Sequence, residues 1–428
     1  MTSRRRFLQV SSVTAGAIIG GLPALADSGR TCPPLPASIA RLKSAKNEAK
    51  PITGEERIAR QEQARRLMKV HHLSAILLAD GTSLEYFTGI RWWGSERLFA
   101  MVLPSSGPAF YVCPAFEEGR ARERIAKFAD AKQADIRVWQ EDENPYQRVS
   151  EGLKDRSIST GILGLEETVR FVFADEVAKA APQVKIVSAT PVTSGCRMIK
   201  SDHEIALMRL AAKVTLMAYE AVYKSLKPGM TQDEIGDLIA IAYSRLGFPG
   251  EADVQTAEST AYPHGSAKPQ VIREGTIIMI DDGCKVEGYN SDITRTFVLG
   301  KASDKMRKVF AIVQRAQSAA IKAAHVGAEC QAVDAAARKV ITDAGYGPDY
   351  KFFAHRVGHG MGMDGHEWPY LVRGNSLPLA ANMTFSDEPG IYIRGEFGIR
   401  LEDDMHITAN GAELFTPQSP SLEDPFGA

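Results

Sequence analysis

Residues 276–299 read TIIMIDDGCKVEGYNSDITRTFVL, and residues 383–408 read MTFSDEPGIYIRGEFGIRLEDDMHIT. Each is an apolar run, a glycine-bearing turn and a second apolar run, which is the pattern of a β-hairpin. Each also follows a helix with matching punctuation, PGMTQDEIGDLIAIAYSRLG (228–247) before the first and VGAECQAVDAAARKVITDAG (326–345) before the second. At an offset of 98 residues Gly229 meets Gly327 and Ile235 meets Val333. Two αβ units related by pseudo-twofold symmetry would place both hairpins in one curved antiparallel sheet. The competing reading is chance similarity between two amphipathic helices.

Four carboxylates, Asp281, Asp292, Glu388 and Glu402, interrupt these otherwise apolar strands. A buried, unpaired carboxylate is costly, and several in one sheet repel one another. Two divalent ions, with a charge of about +4, remove that objection, and hard oxygen ligands with one imidazole suit Mn, Co, Fe or Zn. The imidazole comes from HRVGHGMGMDGHEW (355–368), where glycines flank His359. They let the backbone pass close to a crowded centre where a Cβ would collide. His366 is then placed to act on substrate. Singly, a strand-end Asp is a turn residue, a lone His is a structural group, and Glu-Pro-Gly is a turn. The argument rests on their combination.

Upstream, from about residue 54 to 190, apolar runs such as SAILLA, FAMVLP and PAFYVC alternate with helical stretches such as GEERIARQEQARRLM, which predicts an α/β domain. Ser201 and Glu204 form a capping-box signal opening a helix with Leu207, Leu210, Val214, Met217 and Ala221 on one face, so the boundary is placed near residue 197. The expected organisation is a signal peptide at 1–26, a linker segment at 27–53, an α/β domain at 54–196 and an α+β domain at 197–428. The N-terminus is basic, then apolar, and Ala24-Leu25-Ala26 matches an A-x-A cleavage site. Ser3-Arg4-Arg5-Arg6-Phe7-Leu8 resembles a twin-arginine signal, which implies export to the periplasm after folding. Its apolar run is short of the ~20 residues that a membrane span needs. Lys plus Arg number 51 and Asp plus Glu 52, a balance with no electrostatic case for nucleic acid. The five cysteines lack C-x-x-C spacing, leaving room for one oxidised pair but not for a thiolate zinc site or a disulfide framework.

His264-Gly265, IDDGCKVEGYNSDITRT (280–296), VGHGMGMDGHE (357–367), DEPGIYI (387–393) and GIRLEDD (398–404) together resemble the M24 metallopeptidases. YFTGIRWWGSERLFAMVLP (86–104) and RMIKSDHEIALMRLAA (197–212) are similar to the N-terminal domain and junction of the prolidase and aminopeptidase P branch. The resemblance implies a creatinase-like N-terminal domain before a pita-bread catalytic domain, and cleavage of Xaa-Pro bonds either in dipeptides or at the start of longer peptides. By position, Asp281, Asp292 and Glu402 would hold one divalent ion and Asp292, His359, Glu388 and Glu402 the other, with Mn first among the candidates.

Glu388 matches the family's general base, and His366 and His264 match histidines that contact the substrate carbonyl. His355 matches the extra histidine of the proline-specific branch. Arg400 matches an active-site arginine, as a substrate contact or as a partner orienting Glu402. Trp92 and Trp93 would line a proline pocket or pack at an interface, and a homodimer is implied either way. Asp282 and Asp387 depart from the family pattern. They would tune or bind an ion, or face a solvated rim. Asp282 in particular keeps open a metal-dependent lyase or hydrolase acting on a small non-peptide, since dimethylsulfoniopropionate lyases share this fold. A third reading, a binding module that has lost catalysis, is opposed by the full set of five ligand positions.

Overall fold

The computed structural model describes residues 34–127, 133–266, 268 and 270–427. The expected signal peptide at 1–26 and Cys32 lie outside the described residues.

Six strands form the first sheet: β1 (Ala75–Ala79), β2 (Ala100–Pro104), β3 (Phe110–Pro114), β4 (Asp135–Trp139), β5 (Gly161–Leu165) and β6 (Val184–Ser188), in the order β4-β3-β2-β1-β5-β6. β2 runs antiparallel to both neighbours, and the remaining pairs are parallel. β1, β2 and β3 are apolar without alternation because every residue in them is buried, the signature of a sheet covered on both faces. The helix Gly54–Val70 starts at a capping box between Thr53 and Glu56.

The helix Asp202–Tyr223 opens at the expected box, Ser201 with Glu204, and buries Leu207, Leu210, Val214 and Ala221. The internal repeat then unfolds in order. The helix Gln232–Leu246 precedes β7 (Asp253–Thr256), β8 (Ile277–Asp281), β9 (Lys285–Val286), β10 (Tyr289–Asn290) and β11 (Arg295–Val298). The helices Asp304–Ala323 and Cys330–Asp343 precede β12 (Gly358–Gly360), β13 (Glu367–Leu371), β14 (Thr384–Asp387), β15 (Gly390–Ile393), β16 (Phe397–Arg400), β17 (Asp403–Thr408) and β18 (Gly411–Leu414). The ladders β11-β8-β7 and β13-β12-β14-β17-β18 are antiparallel throughout.

Matched glycines take matched backbone angles, φ +97° at Gly229 against +85° at Gly327, and Ile235 and Val333 are both wholly buried. The two helices are therefore equivalent by structure as well as by composition. The two units meet along β11 and the end of β16, where Glu402 N donates to Thr294 O (3.2 Å) and the Thr296 hydroxyl donates to Arg400 O (2.6 Å). Each expected hairpin is more elaborate than its sequence suggests. β8 with β11 and β14 with β17 are the outer pairs, and each carries a second short ladder between its arms, β9-β10 and β15-β16.

Residues 36–428 make one compact unit. A single apolar cluster takes Met68, Leu84 and Tyr86 from the first half and Leu207, Tyr219, Ile235, Ile280 and Tyr289 from the second. The segment expected to be a linker, 27–53, is not one over residues 36–53. Ile39 is wholly buried, Ala45 N donates to Leu246 O (2.9 Å) and Arg245 donates to Ala40 O (2.6 Å). Its apolar side chains dock on the helices of the second half, a contact invisible to local composition.

Cys113, Cys196, Cys284 and Cys330 are buried and unpaired, so no pair among these four is oxidised. Burial pushes the first three thiols up to about 12 and Cys330 to about 11. Among the described residues no helix is long and apolar enough to cross a membrane.

Candidate metal centre and active-site cavity

The two pseudo-equivalent units deliver their carboxylates at corresponding places. Asp281 ends β8 and Glu388 follows β14, while Asp292 precedes β11 and Glu402 lies between β16 and β17. His359 is the middle residue of β12. All five line one cavity of about 390 Å³, together with His264, His355, His366 and Arg400.

Ligand atoms of Asp281, Asp292 and Glu402 lie within 4.8 Å of one another, as do those of His359, Glu388 and Glu402. Glu402 is common to both groups. His359 Nε2 is 3.4 Å from Glu388 Oε1 and 3.6 Å from Asp292 Oδ2, so Asp292 also reaches the second group. Asp292, His359 and His366 form a third such group, an arrangement the sequence did not suggest.

The electrostatics are those of a cation site. Burial, then the charges of Asp281, Asp404 and Glu388, raise the Asp292 carboxyl well above its ordinary range. Burial and the charge of Asp292 do the same to Glu402. Glu388 is pushed up to about 7, chiefly by burial. Asp281 alone is lowered: burial opposes its ionisation, but the Arg400 guanidinium and the Thr294 hydroxyl outweigh it. A divalent cation pair would supply the positive charge these groups want. The donor set also fits, because His359 donates from Nδ1 to Gly360 O (3.1 Å) and so keeps the lone pair on Nε2, the nitrogen facing the carboxylates. Burial holds its pKa down to about 3, so the ring is neutral and able to ligate.

The glycines around His359 make room as expected. A Cβ on Gly358 would lie 2.1 Å from Ser386 O, and one on Gly360 would lie 2.5 Å from Glu367 O.

The expected substrate contacts fare unevenly. His366 is exposed to the cavity, stacks on His359 with ring centroids 3.7 Å apart, and accepts at Nδ1 from Arg356 (3.0 Å), which puts its proton on Nε2. His264 lies on the exposed rim. His355 donates from Nδ1 to Arg356 O (2.8 Å) and accepts at Nε2 from the Tyr392 hydroxyl (2.7 Å), so both ring nitrogens are engaged within the protein. Arg400 bonds Asp281, the Thr294 hydroxyl (3.0 Å), Pro263 O (3.0 Å) and Tyr392 (3.0 Å). It thus orients Glu402 only through Thr294, whose hydroxyl is 2.6 Å from Glu402 and 2.5 Å from Asp281.

Trp92 and Trp93 do not line the cavity of their own chain. They stack on each other at 5.1 Å, with Phe99 beneath Trp92 and Arg120 over Trp93. Asp387 is not on a solvated rim either. It is wholly buried, its carboxyl oxygens have no hydrogen-bond partner, and burial raises its pKa well above the usual range. Asp282 is exposed to solvent at φ +104°, outside the cavity lining, and is pushed up to about 7 by partial desolvation of its carboxyl and then by Asp281.

Thr294, Tyr392 and Arg356, the last of which lines the cavity and donates to His366, are among the site residues that sequence reasoning missed. Thr294 in SDITRT and Tyr392 in DEPGIYI read as ordinary strand formers, and only their register beside ligands could have marked them.

Comparison with known proteins bears on the same residues. Residues 206–409 match the model of metallopeptidase family M24, and residues 60–199 match the creatinase/prolidase N-terminal domain. A putative dipeptidase of Bacillus subtilis is 33% identical over 341 residues, covering 79% of this chain and 92% of its own. An Xaa-Pro dipeptidase of Lactobacillus delbrueckii subsp. lactis is 30% identical over 352 residues, covering 81% of this chain and 93% of its own. The crystal structure of dipeptidase PepE from Mycobacterium ulcerans superposes with a TM-score of 0.81 at 32% identity, covering 87% of this chain and 99% of that one.

Proposed function

Because the chain belongs to metallopeptidase family M24, with its creatinase-type N-terminal domain and pita-bread catalytic domain, we propose that it hydrolyses the Xaa-Pro bond of dipeptides with two divalent ions, manganese foremost. The carrying observation is the convergence of Asp281, Asp292, His359, Glu388 and Glu402 on one cavity, in two groups that share Glu402. Dipeptides are placed ahead of longer peptides because the Bacillus and Lactobacillus relatives are named as dipeptidases.

Asp281, Asp292 and Glu402 would hold one ion, and Asp292, His359, Glu388 and Glu402 the other. Bound there, the ions would supply Lewis acidity toward the scissile carbonyl and a water of lowered pKa. Glu388, which lines the cavity and follows β14, is the carboxylate that would carry a proton to the departing proline nitrogen. The Nε2–H of His366 is placed to donate to the oxygen on which charge develops, with His264 at the rim beside it. His355 and Tyr392 form a fixed wall beside Arg400. The lyase reading rested on Asp282, and that side chain is outside the cavity lining. Trp92 and Trp93, outside the cavity of their own chain, are assigned to the contact of a homodimer. The N-terminal residues are assigned to twin-arginine export into the periplasm, and 54–196 and 197–428 to the two domains.

Metal analysis of the purified protein, beside assays of an Xaa-Pro dipeptide, an Xaa-Pro-Xaa tripeptide and dimethylsulfoniopropionate with added Mn, tests the reading. Dipeptide turnover with bound metal is expected, and Glu388→Gln should abolish it while the protein stays folded. Turnover of the tripeptide alone would make the enzyme an aminopeptidase. No peptide turnover with any divalent metal would refute the proposal.

A further inference from the structure

His366 stands on the loop 362–367, and that loop is held by charge. Arg197, the last residue of the helix Thr190–Arg197 at the junction of the two domains, is 5% exposed and donates to both Asp364 and Glu367, the carboxylates on either side of His366. Lys200, 3% exposed, donates to the other oxygen of Glu367 (2.6 Å). Thr82, from the helix Thr82–Thr88 of the N-terminal domain, donates to Asp364. From the catalytic side, Asn290 Nδ2 donates to Gly362 O and Met363 O, both at 2.9 Å. Gly362 packs so closely that a Cβ there would lie 2.6 Å from Glu367 Oε1 and 3.1 Å from Lys200 Cε.

A second cavity, of about 330 Å³, is bounded by Glu167, Thr190, Ser194, Asp364, Trp368 and Tyr370, and His366 lines both this cavity and the catalytic one. The loop is therefore a partition between two spaces, and side chains from the N-terminal half fix its position. Both carboxylates are served by the same terminal nitrogen, Nη2, of a buried guanidinium, which leaves the Arg197 side chain few orientations that keep both bonds.

We propose that Arg197 and Lys200 are positioning residues of the reaction: through Glu367 and Asp364 they hold the His366 imidazole at the reacting carbonyl, so that the junction between the two domains contributes to catalysis without touching substrate. The clamp rests on the Xaa-Pro peptidase reading for its kinetic consequence. Its structural consequence, a fixed His366 ring, is independent of that reading.

The test is a double-mutant cycle on the manganese-loaded enzyme, pairing Arg197→Gln with His366→Ala. Alone, Arg197→Gln should lower kcat on the order of 100-fold with a much smaller change in KM, as expected for a misplaced group, while Arg197→Lys restores part of the loss. In the His366→Ala background the same change should cost little more, since there is no imidazole left to misplace. Equal losses in both backgrounds would overturn the proposal. Should Arg197→Gln fail to fold, Asp364→Asn, at a half-exposed partner of the same clamp, takes its place in the cycle.

Long-range proton–nitrogen spectra of the zinc-loaded protein, whose diamagnetic ion leaves nearby resonances visible, give a readout without turnover. The His366 resonances, identified by their loss in His366→Ala, should show one Nε2–H form in the parent and broaden or shift in Arg197→Gln. Unchanged resonances would refute the clamp even if the parent cleaves no Xaa-Pro peptide, an outcome that would separately refute the peptidase assignment.

Discussion

Thr294 has one hydroxyl proton and two carboxylate neighbours, Asp281 and Glu402, with Arg400 donating to its oxygen. Thr294→Val keeps the shape and removes the hydroxyl, so metal affinity should fall about 10–100-fold, measured by competition with a chelator. Unchanged affinity would show that the ligands orient themselves. Protonation gives a second expectation. Glu388 ionises near 7 in the folded chain against 4.5 for an ordinary carboxyl. Its contribution to stability is therefore full below 4.5 and is lost as pH rises through about 7. Asp292 and Glu402 act in the same direction. Divalent ions take the ionised forms and reverse the loss, so the gap in melting temperature between metal-loaded and chelator-treated protein should widen across that window. A gap independent of pH would contradict the assignment of these carboxylates.

The ligands were legible because carboxylates that interrupt apolar strands are conspicuous. Their neighbours Asp282 and Asp387 were not: Asp282 lies just past β8 at φ +104° and faces solvent, and in β14 successive residues face opposite sides. An acid beside a ligand is therefore turned away from the cavity, as buried Asp387 is.

At the scale of elements, β12 is only three residues long, yet it is wedged between β13 and β14 and carries His359. Gly358→Ala sets a methyl 2.1 Å from Ser386 O. It should cost at least about 1–3 kcal/mol in urea denaturation. Gly365→Ala, where a Cβ meets nothing within 4 Å, should be nearly neutral and serves as the control. Equal stability of the two variants would mean that the strand can shift at no cost. The loop leading into β12 depends on the helix Cys330–Asp343. Buried Arg338 donates to Asp349 O, Phe353 O and His355 O, and Asp334 accepts from Val357 N. In sequence this Asp–Arg pair looks like a solvated i,i+4 contact, and only tertiary burial turns it into a bracket. The repeated helices were readable from their periodicity and glycine punctuation. The ladders β9-β10 and β15-β16 were not, since elements of two to four residues leave too short a pattern.

For the whole molecule, the decisive fact is that one apolar cluster draws from both halves. Local patterns suggest a boundary near residue 197 but carry no information on contacts between residues such as Tyr86 and Tyr289, which are remote in the chain. Calorimetry of the metal-loaded protein should give one unfolding transition with matching calorimetric and van't Hoff enthalpies, whereas two resolved peaks would mean that the halves melt separately. The four thiols sealed in this interior have a different consequence. Among the described residues of the native fold no thiol is exposed to attack oxidised glutathione or the disulfide of a catalyst. A chain that matures in a reducing compartment and is then delivered to an oxidising one would carry these cysteines through unaltered, and a slow-reacting maleimide probe should label them only after denaturation.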